Sequence, residues 1–270
     1  FLANNIDPQV IDTLSNQPIA TSEEILGKDA QSSFLLAYIL MFAVYMLVIM
    51  YGSFVSTSVA REKDSRTMEI LITSTKPSAL IIGKVFANAV GGLLQLSMIL
   101  ATGIVGYLLN QSNYPEVLRT MLFSGLSWDA IMTFALFTSI GYLLYLFLYA
   151  SLGSLVSKVE DVGSAVTPIT LLFIVAYAIA TIGLNAPTNP AVKIGSFVPF
   201  TAIMAMPIRY FMTYVPLLDI LISLTLMIVT TVLLAILSIK IYRLGSLSYG
   251  NKLSLISAVK LILSKEDKKL

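Results

Sequence analysis

The residues that could do chemistry crowd into one stretch, 58–84, which carries eight charged side chains, five of them within the six positions 61–66. They are not equipped for catalysis. The chain has no His and no Cys, which removes Ser-His triads, His-Glu-x-x-His zinc sites, histidine proton relays, thiolate nucleophiles and disulfides. Gly83-Lys84 is followed by Val85 and has no glycine five residues earlier, so it is not a phosphate-binding loop. Docking suits the residue types better. Met68, Leu71 and Ile72 fall at i, i+3 and i+4 on one face of a short helix, with Arg61, Glu62, Arg66, Thr67 and Glu69 around it. Asp64 or Ser65 can cap its start. Glu62 lies four residues before Arg66, the favourable order for a helical ion pair. Residues 74–77 (Ser-Thr-Lys-Pro) end the helix, and Ser78 can cap the next one. A loop that only sets topology needs Lys and Arg but has no use for Glu62, Asp64, Glu69 or an apolar face. On the residues alone, both readings stay open.

Three further groups are candidates. Lys158, Glu160 and Asp161 form a second charged turn, either a brace for the same partner or a turn that ends a span. Pro199, Pro207 and Arg209 mark an irregular apolar segment with a gating character. Asn88, Gln95 and Tyr142 either face a path or bond between helices. The apolar runs hold no Asp, Glu, Lys or Arg well inside them. Such groups usually mark ion or proton pathways, so their absence weighs against an ion-coupled carrier. An apolar route for a lipid-like or amphipathic substrate stays open.

The elements that must position these residues follow from composition. The chain has 270 residues, 57% hydrophobic and 12% charged, with a mean hydropathy of +0.86; a soluble domain carries roughly 25% charged residues. Five apolar runs, 34–59, 85–109, 131–156, 165–184 and 220–239, are interrupted by charged linkers. Each is about 20 residues or more, enough for a helix rising about 1.5 Å per residue to cross a hydrocarbon core of about 30 Å. The predicted fold is all-α, a polytopic membrane helix bundle with residues 32–243 as its transmembrane domain. Residues 1–31 are polar and net acidic and read as an extracytoplasmic flank. Residues 244–270 read as a cytoplasmic amphipathic tail lying on inner-leaflet lipids.

Thirteen Lys and Arg fall on the side of the 58–84 loop and only four on the other, which puts that loop and the C-terminus in the cytoplasm. Segment 195–214 is long enough to resemble a sixth span. Pro199 and Pro207 predict an interrupted helix there, and a full crossing would send the cationic tail outside. A re-entrant hairpin on the outer face is expected, with irregular backbone at that depth enclosed by protein or a water-filled cavity. The chain begins at Phe1 with no initiator Met and no leader pattern, so the numbering is expected to begin inside a longer protein or after a removed start.

The pattern Arg61-Glu62-Lys63-x-x-Arg66-Thr67-Met68-Glu69-Ile70-Leu71, followed by Pro77-Ser78 and Gly83-Lys84, resembles the membrane subunits of ABC-2 type transporters, most of all the sodium-extrusion permease branch. In that family the pattern is Glu-Lys/Arg, then Thr-x-Glu-x-Leu, Pro and Gly-Lys. Its first part forms the coupling helix on the ATPase subunit, and Gly-Lys begins the next span. Many members carry Gly before the Thr, where this chain has Arg66, a branch difference. Residues 157–161, 198–201 with Arg209, and 241–252 are also similar to the family.

The resemblance implies a non-catalytic permease subunit of an exporter, with no cofactor in this chain and ATP and Mg on a separate cytoplasmic ATPase. That ATPase would dock on residues 61–75, braced by Lys158 and Glu160, and its closure would tilt the first two spans. A second permease copy, identical or not, would complete the assembly in a bacterial cell membrane, with lipids around it and no nucleic-acid partner. Such permeases usually have six spans and an extracytoplasmic domain between the first two. By that pattern the chain lacks the first span and most of the domain, with 1–31 as its remnant. The rival is a self-contained channel or secondary transporter in which 61–84 is only a topology signal. Sodium, a peptide, an antibiotic and a lipid all fit as substrate.

Overall fold

The computed structural model describes residues 30–115, 122, 127–247 and 260. Every regular element among them is helical: α1 Ala30–Asp64, α2 Thr67–Ser74, α3 Pro77–Asn110, α4 Trp128–Leu155, α5 Val162–Asn185, α6 Pro190–Gly195, α7 Pro199–Met212 and α8 Leu217–Leu247, with short 3₁₀ turns at Gln111–Asn113 and Val159–Asp161. Five of them (α1, α3, α4, α5 and α8) are long and apolar enough to cross a membrane. The chain is an all-α, multi-pass membrane bundle.

The helices overrun the apolar runs. α1 continues to Asp64, α8 to Leu247, and α3 begins at Pro77. Hydrocarbon thickness sets where apolar residues must stop but does not stop the helix, and charged side chains carry it on into the interface. Proline at the first position of α3 suits that start, because its missing N–H would have no partner there.

α4 is the centre of the bundle and packs against α1, α3, α5, α7 and α8. Tyr142, Tyr145 and Tyr149, all buried, stand at i, i+3 and i+7 along it and reach three different neighbours. The Tyr142 hydroxyl donates to the Asn88 carbonyl of α3 at 3.0 Å, and Tyr145 to the Phe200 carbonyl of α7 at 2.8 Å. Tyr149 shares a hydrogen bond with Thr170 of α5 at 3.0 Å. Ser238 of α8 donates to the Phe147 carbonyl at 3.0 Å. In hydrocarbon the hydrophobic effect does not drive helices together, so such bonds and close packing carry the association. α3 is the least enclosed span, turning Phe86, Val90, Leu94, Met98 and Ile99 outward.

Segment 195–214 differs from the expected interrupted helix. α7 runs unbroken from Pro199 to Met212, with Pro199 in its first turn and Pro207 inside it. Pro199 begins the helix where no N–H is needed. Pro207 sacrifices one helical bond, but it lies in a fully buried run, residues 201–209, packed against α1, α4 and α5; that burial outweighs the local penalty. With 14 residues, α7 rises only about 21 Å, short of the roughly 30 Å of a hydrocarbon core. α6 and α7 form a short helical pair at the end of the bundle away from α2. The flank 1–29 and most of the tail beyond Leu247 lie outside the described residues.

Candidate functional site

The charged stretch folds into an elbow. Near the end of α1, the Ser65 amide donates to the Arg61 carbonyl at 3.0 Å and the Arg66 amide to the Lys63 carbonyl at 3.1 Å. Arg66 then adopts φ 57° and ψ 5°, and among the described non-glycine residues it alone has a positive φ. This left-handed residue turns the chain from α1 into α2. A side chain there costs roughly 1–2 kcal/mol, and it is the position where the family pattern often has glycine. The expected Glu62–Arg66 pair does not form, because Arg66 has left the helix. Glu62 pairs with Lys84 of α3 instead, and the Lys84 ammonium also donates to the Ser58 hydroxyl at 3.0 Å. The second Glu62 carboxylate oxygen, Oε2, is buried without a hydrogen-bond partner.

The expected caps are also placed differently. α2 has Arg66 at its N-cap with no side-chain bond, while Ser65 and Thr67 share a hydroxyl hydrogen bond at 2.8 Å. α3 is preceded by Lys76, not Ser78.

α2 is anchored by one face. Met68 is fully buried, its sulfur 3.6 Å from the Tyr242 hydroxyl of α8, and Leu71 is half-buried. Thr67, Arg61 and Arg66 are exposed, and Ile70 is 70% exposed. Glu69 and Ile72 belong to α2, but their side chains lie outside the described residues. Lys158 and Glu160 are exposed, Lys158 just before and Glu160 within the 3₁₀ turn Val159–Asp161, which packs against α1. The structure therefore brings both charged turns to one end of the bundle.

Residues that sequence reasoning passed over hold the elbow in place. Lys63, counted in the sequence as a basic charge and as part of the Glu-Lys/Arg pattern, is 2% exposed, and its ammonium donates to the Ser154 carbonyl near the end of α4 at 3.0 Å. Its phase gave the clue: Ser56, Val59, Ala60 and Lys63 repeat at i, i+3, i+4 and i+7 and are all buried. Two glycines allow the backbones to touch here. A Cβ at Gly153 would stand 2.4 Å from the Ser56 carbonyl, and one at Gly245 2.5 Å from the Ser154 carbonyl. α1, α4 and α8 thus meet backbone to backbone around Lys63.

At the other end, Arg209 is 8% exposed. It donates to Ser196 Oγ at 3.0 Å and to Asp219 Oδ2 at 3.0 Å, tying α7 to α6 and α8. Tyr210 donates to Asp129 at the start of α4; burial and that hydrogen bond push its phenol up to about 12, so it remains a neutral donor near pH 7. Pro199 stands at the start of α7 and Pro207 inside it. Of the residues read as facing a path or bonding between helices, Tyr142 bonds to the Asn88 carbonyl and Gln95 accepts from Tyr51 of α1 at 2.5 Å; both bonds join helices.

Residues 2–240 match the family model described as ABC-2 family transporter protein. The chain is 37% identical over 243 residues to the uncharacterized protein YhaP of Bacillus subtilis, covering 89% of this chain and 57% of that one. It is 30% identical over 260 residues to the uncharacterized protein MJ1024 of Methanocaldococcus jannaschii, covering 95% of this chain and 61% of that one. The chain thus spans about three-fifths of the length of these curated relatives. No solved structure matches it. With the family model covering nearly the whole bundle, the chain belongs to the ABC-2 family of transporter proteins.

Proposed function

We propose that this chain is the permease of an exporter driven by a separate ABC ATPase, with α2 as the coupling helix. ATP and Mg bind on that partner, and a second permease copy completes the transporter. The observation that carries this reading is the mounting of α2. The helix buries Met68 against α8, leaves Ile70 outward, and is joined to α1 by a single left-handed turn. A loop that only set topology would need no such anchorage.

The anchorage also bears on which spans a push would reach. Glu62–Lys84 links the elbow to α3, Lys63–Ser154 links it to α4, and Met68–Tyr242 links it to α8. A push on α2 then reaches the third and fifth spans of this bundle as well as the first two. The partner would meet Ile70 together with the exposed Arg61, Arg66, Lys158 and Glu160, a mixed apolar and charged patch whose charges favour correct register.

Ile70→Asp tests the docking role, because an exposed position carries little folding cost. The expected result is loss of a copurifying ABC ATPase and of transport, with normal membrane insertion. Ile194→Asp, at an exposed site on the hairpin end, should leave both unchanged. An Ile70→Asp variant that transports and retains its ATPase would return the elbow to a topology signal and favour the self-contained channel or carrier.

A further inference from the structure

At the hairpin end, α1, α3, α4 and α7 enclose a pocket of about 430 Å³, within the roughly 300–1,000 Å³ of small-molecule sites. Leu40, Ile99, Gly103, Phe134 and Phe211 line its body and Tyr107 its upper rim. Among its described lining residues, the Tyr107 hydroxyl is the one polar side-chain group. The pocket opens sideways: Ile39 and Ile104 belong to its wall, yet they are 42% and 45% exposed on the outside of the bundle.

Two observations say what fits there. The first is depth. Tyr107 stacks on Tyr114 with ring centroids 5.6 Å apart, and Tyr114, Trp128 and Tyr214 are exposed at the same end of the bundle. Aromatic residues gather where hydrocarbon meets headgroups, so the rim stands at that level. From Tyr107 down to Ile99 the wall descends eight residues, about 12 Å along the helix. The second is chemistry. A buried water needs about two to four polar partners, which the described lining residues do not supply, and an unfilled space forfeits the dispersion contacts of every group around it. A slender apolar occupant entering from the side satisfies both conditions.

We propose that this pocket seats one alkyl chain, its polar head beside Tyr107 and its tail running past Gly103 towards Ile99. The site is independent of the ATPase reading, since no residue of the elbow contributes to it. The chain can come from a bilayer phospholipid or from a single-tailed amphiphile, and both offer the wall the same chemistry.

Gly103 allows a clean test. A Cβ there would meet nothing within 4 Å, so Gly103→Leu starts a side chain in open space at the pocket wall and raises helix propensity by roughly 1 kcal/mol. Gly106 has the same open geometry but does not line the pocket, which makes Gly106→Leu a matched control. The protein is placed in vesicles with a diazirine-bearing acyl chain, carried in one arm on phosphatidylcholine and in the other on a single-chain alkylphosphocholine. After illumination, labelled peptides are mapped by mass spectrometry. Labelling should concentrate on the α1, α3 and α4 residues of the pocket in at least one arm, and that arm names the source. Gly103→Leu should cut it about tenfold, equivalent to roughly 1.4 kcal/mol, while Gly106→Leu leaves it unchanged. Labelling spread evenly around the bundle in both arms, or pocket labelling that Gly103→Leu does not reduce, would overturn the proposal.

Discussion

Arg66 carries the sharpest strain among the described residues, because it alone of the non-glycine residues holds a positive φ. Gly at this position relieves roughly 1–2 kcal/mol of steric cost and returns about 0.4–1 kcal/mol through a more flexible unfolded chain. Arg66→Gly should therefore raise stability by about 0.5–1 kcal/mol, read as a higher thermal midpoint in detergent. Arg66→Val, branched at Cβ and poorly suited to this region, should lower the midpoint and speed proteinase K cleavage within the elbow. At this scale the sequence was only partly legible. The charges of the elbow and its apolar anchor Met68 could be read from residue type and spacing. Their partners could not, because Glu62 looks equally ready for Arg66 four residues on and for Lys84 in another helix. Likewise, a lysine such as Lys63 passes for a surface charge until a neighbouring helix end, here at Ser154, supplies an acceptor.

The second span and the hairpin show what an element adds. Apolar runs marked out the five long helices, since crossing hydrocarbon imposes a length that composition reveals. Their ends were not visible, because helices continue into the interface where charged residues are welcome. Pro207 shows tertiary packing overriding a local rule: a residue expected to interrupt α7 lies inside it, enclosed by α1, α4 and α5. What locks α7 in place is Arg209, held by Ser196 and Asp219. Arg209 is buried but Asp219 is a quarter exposed, so a carboxylate left alone there is partly solvated and costs less than the roughly 3–5 kcal/mol of a fully buried pair. Arg209→Met alone should lower the thermal midpoint. The double variant Arg209→Met/Asp219→Leu should recover most of that loss, since a well-packed apolar pair can replace a buried ion pair. A double-mutant cycle measured by thermal unfolding in detergent checks both outcomes.

The molecule as a whole has one end rich in Lys and Arg and another built from the α6–α7 pair. Thirteen basic residues against four predict that the elbow faces the cytoplasm. The natural absence of cysteine makes this simple to measure with single substitutions at exposed positions. Thr75→Cys should react with a membrane-impermeant maleimide only in inverted vesicles, and Tyr214→Cys only in intact cells. The bundle is also uneven in how its members depend on one another. α4 sends a tyrosine into each of three neighbours and meets α1 through Gly153, whereas much of α3 faces outward. Mutational tolerance should follow the same division. A change on α4 must be accommodated by several helices at once and is nearly frozen by them, while the outer face of α3 is free to drift. Substitutions can therefore accumulate along the second span, beside the pocket at Gly103, without the rest of the bundle having to be rebuilt.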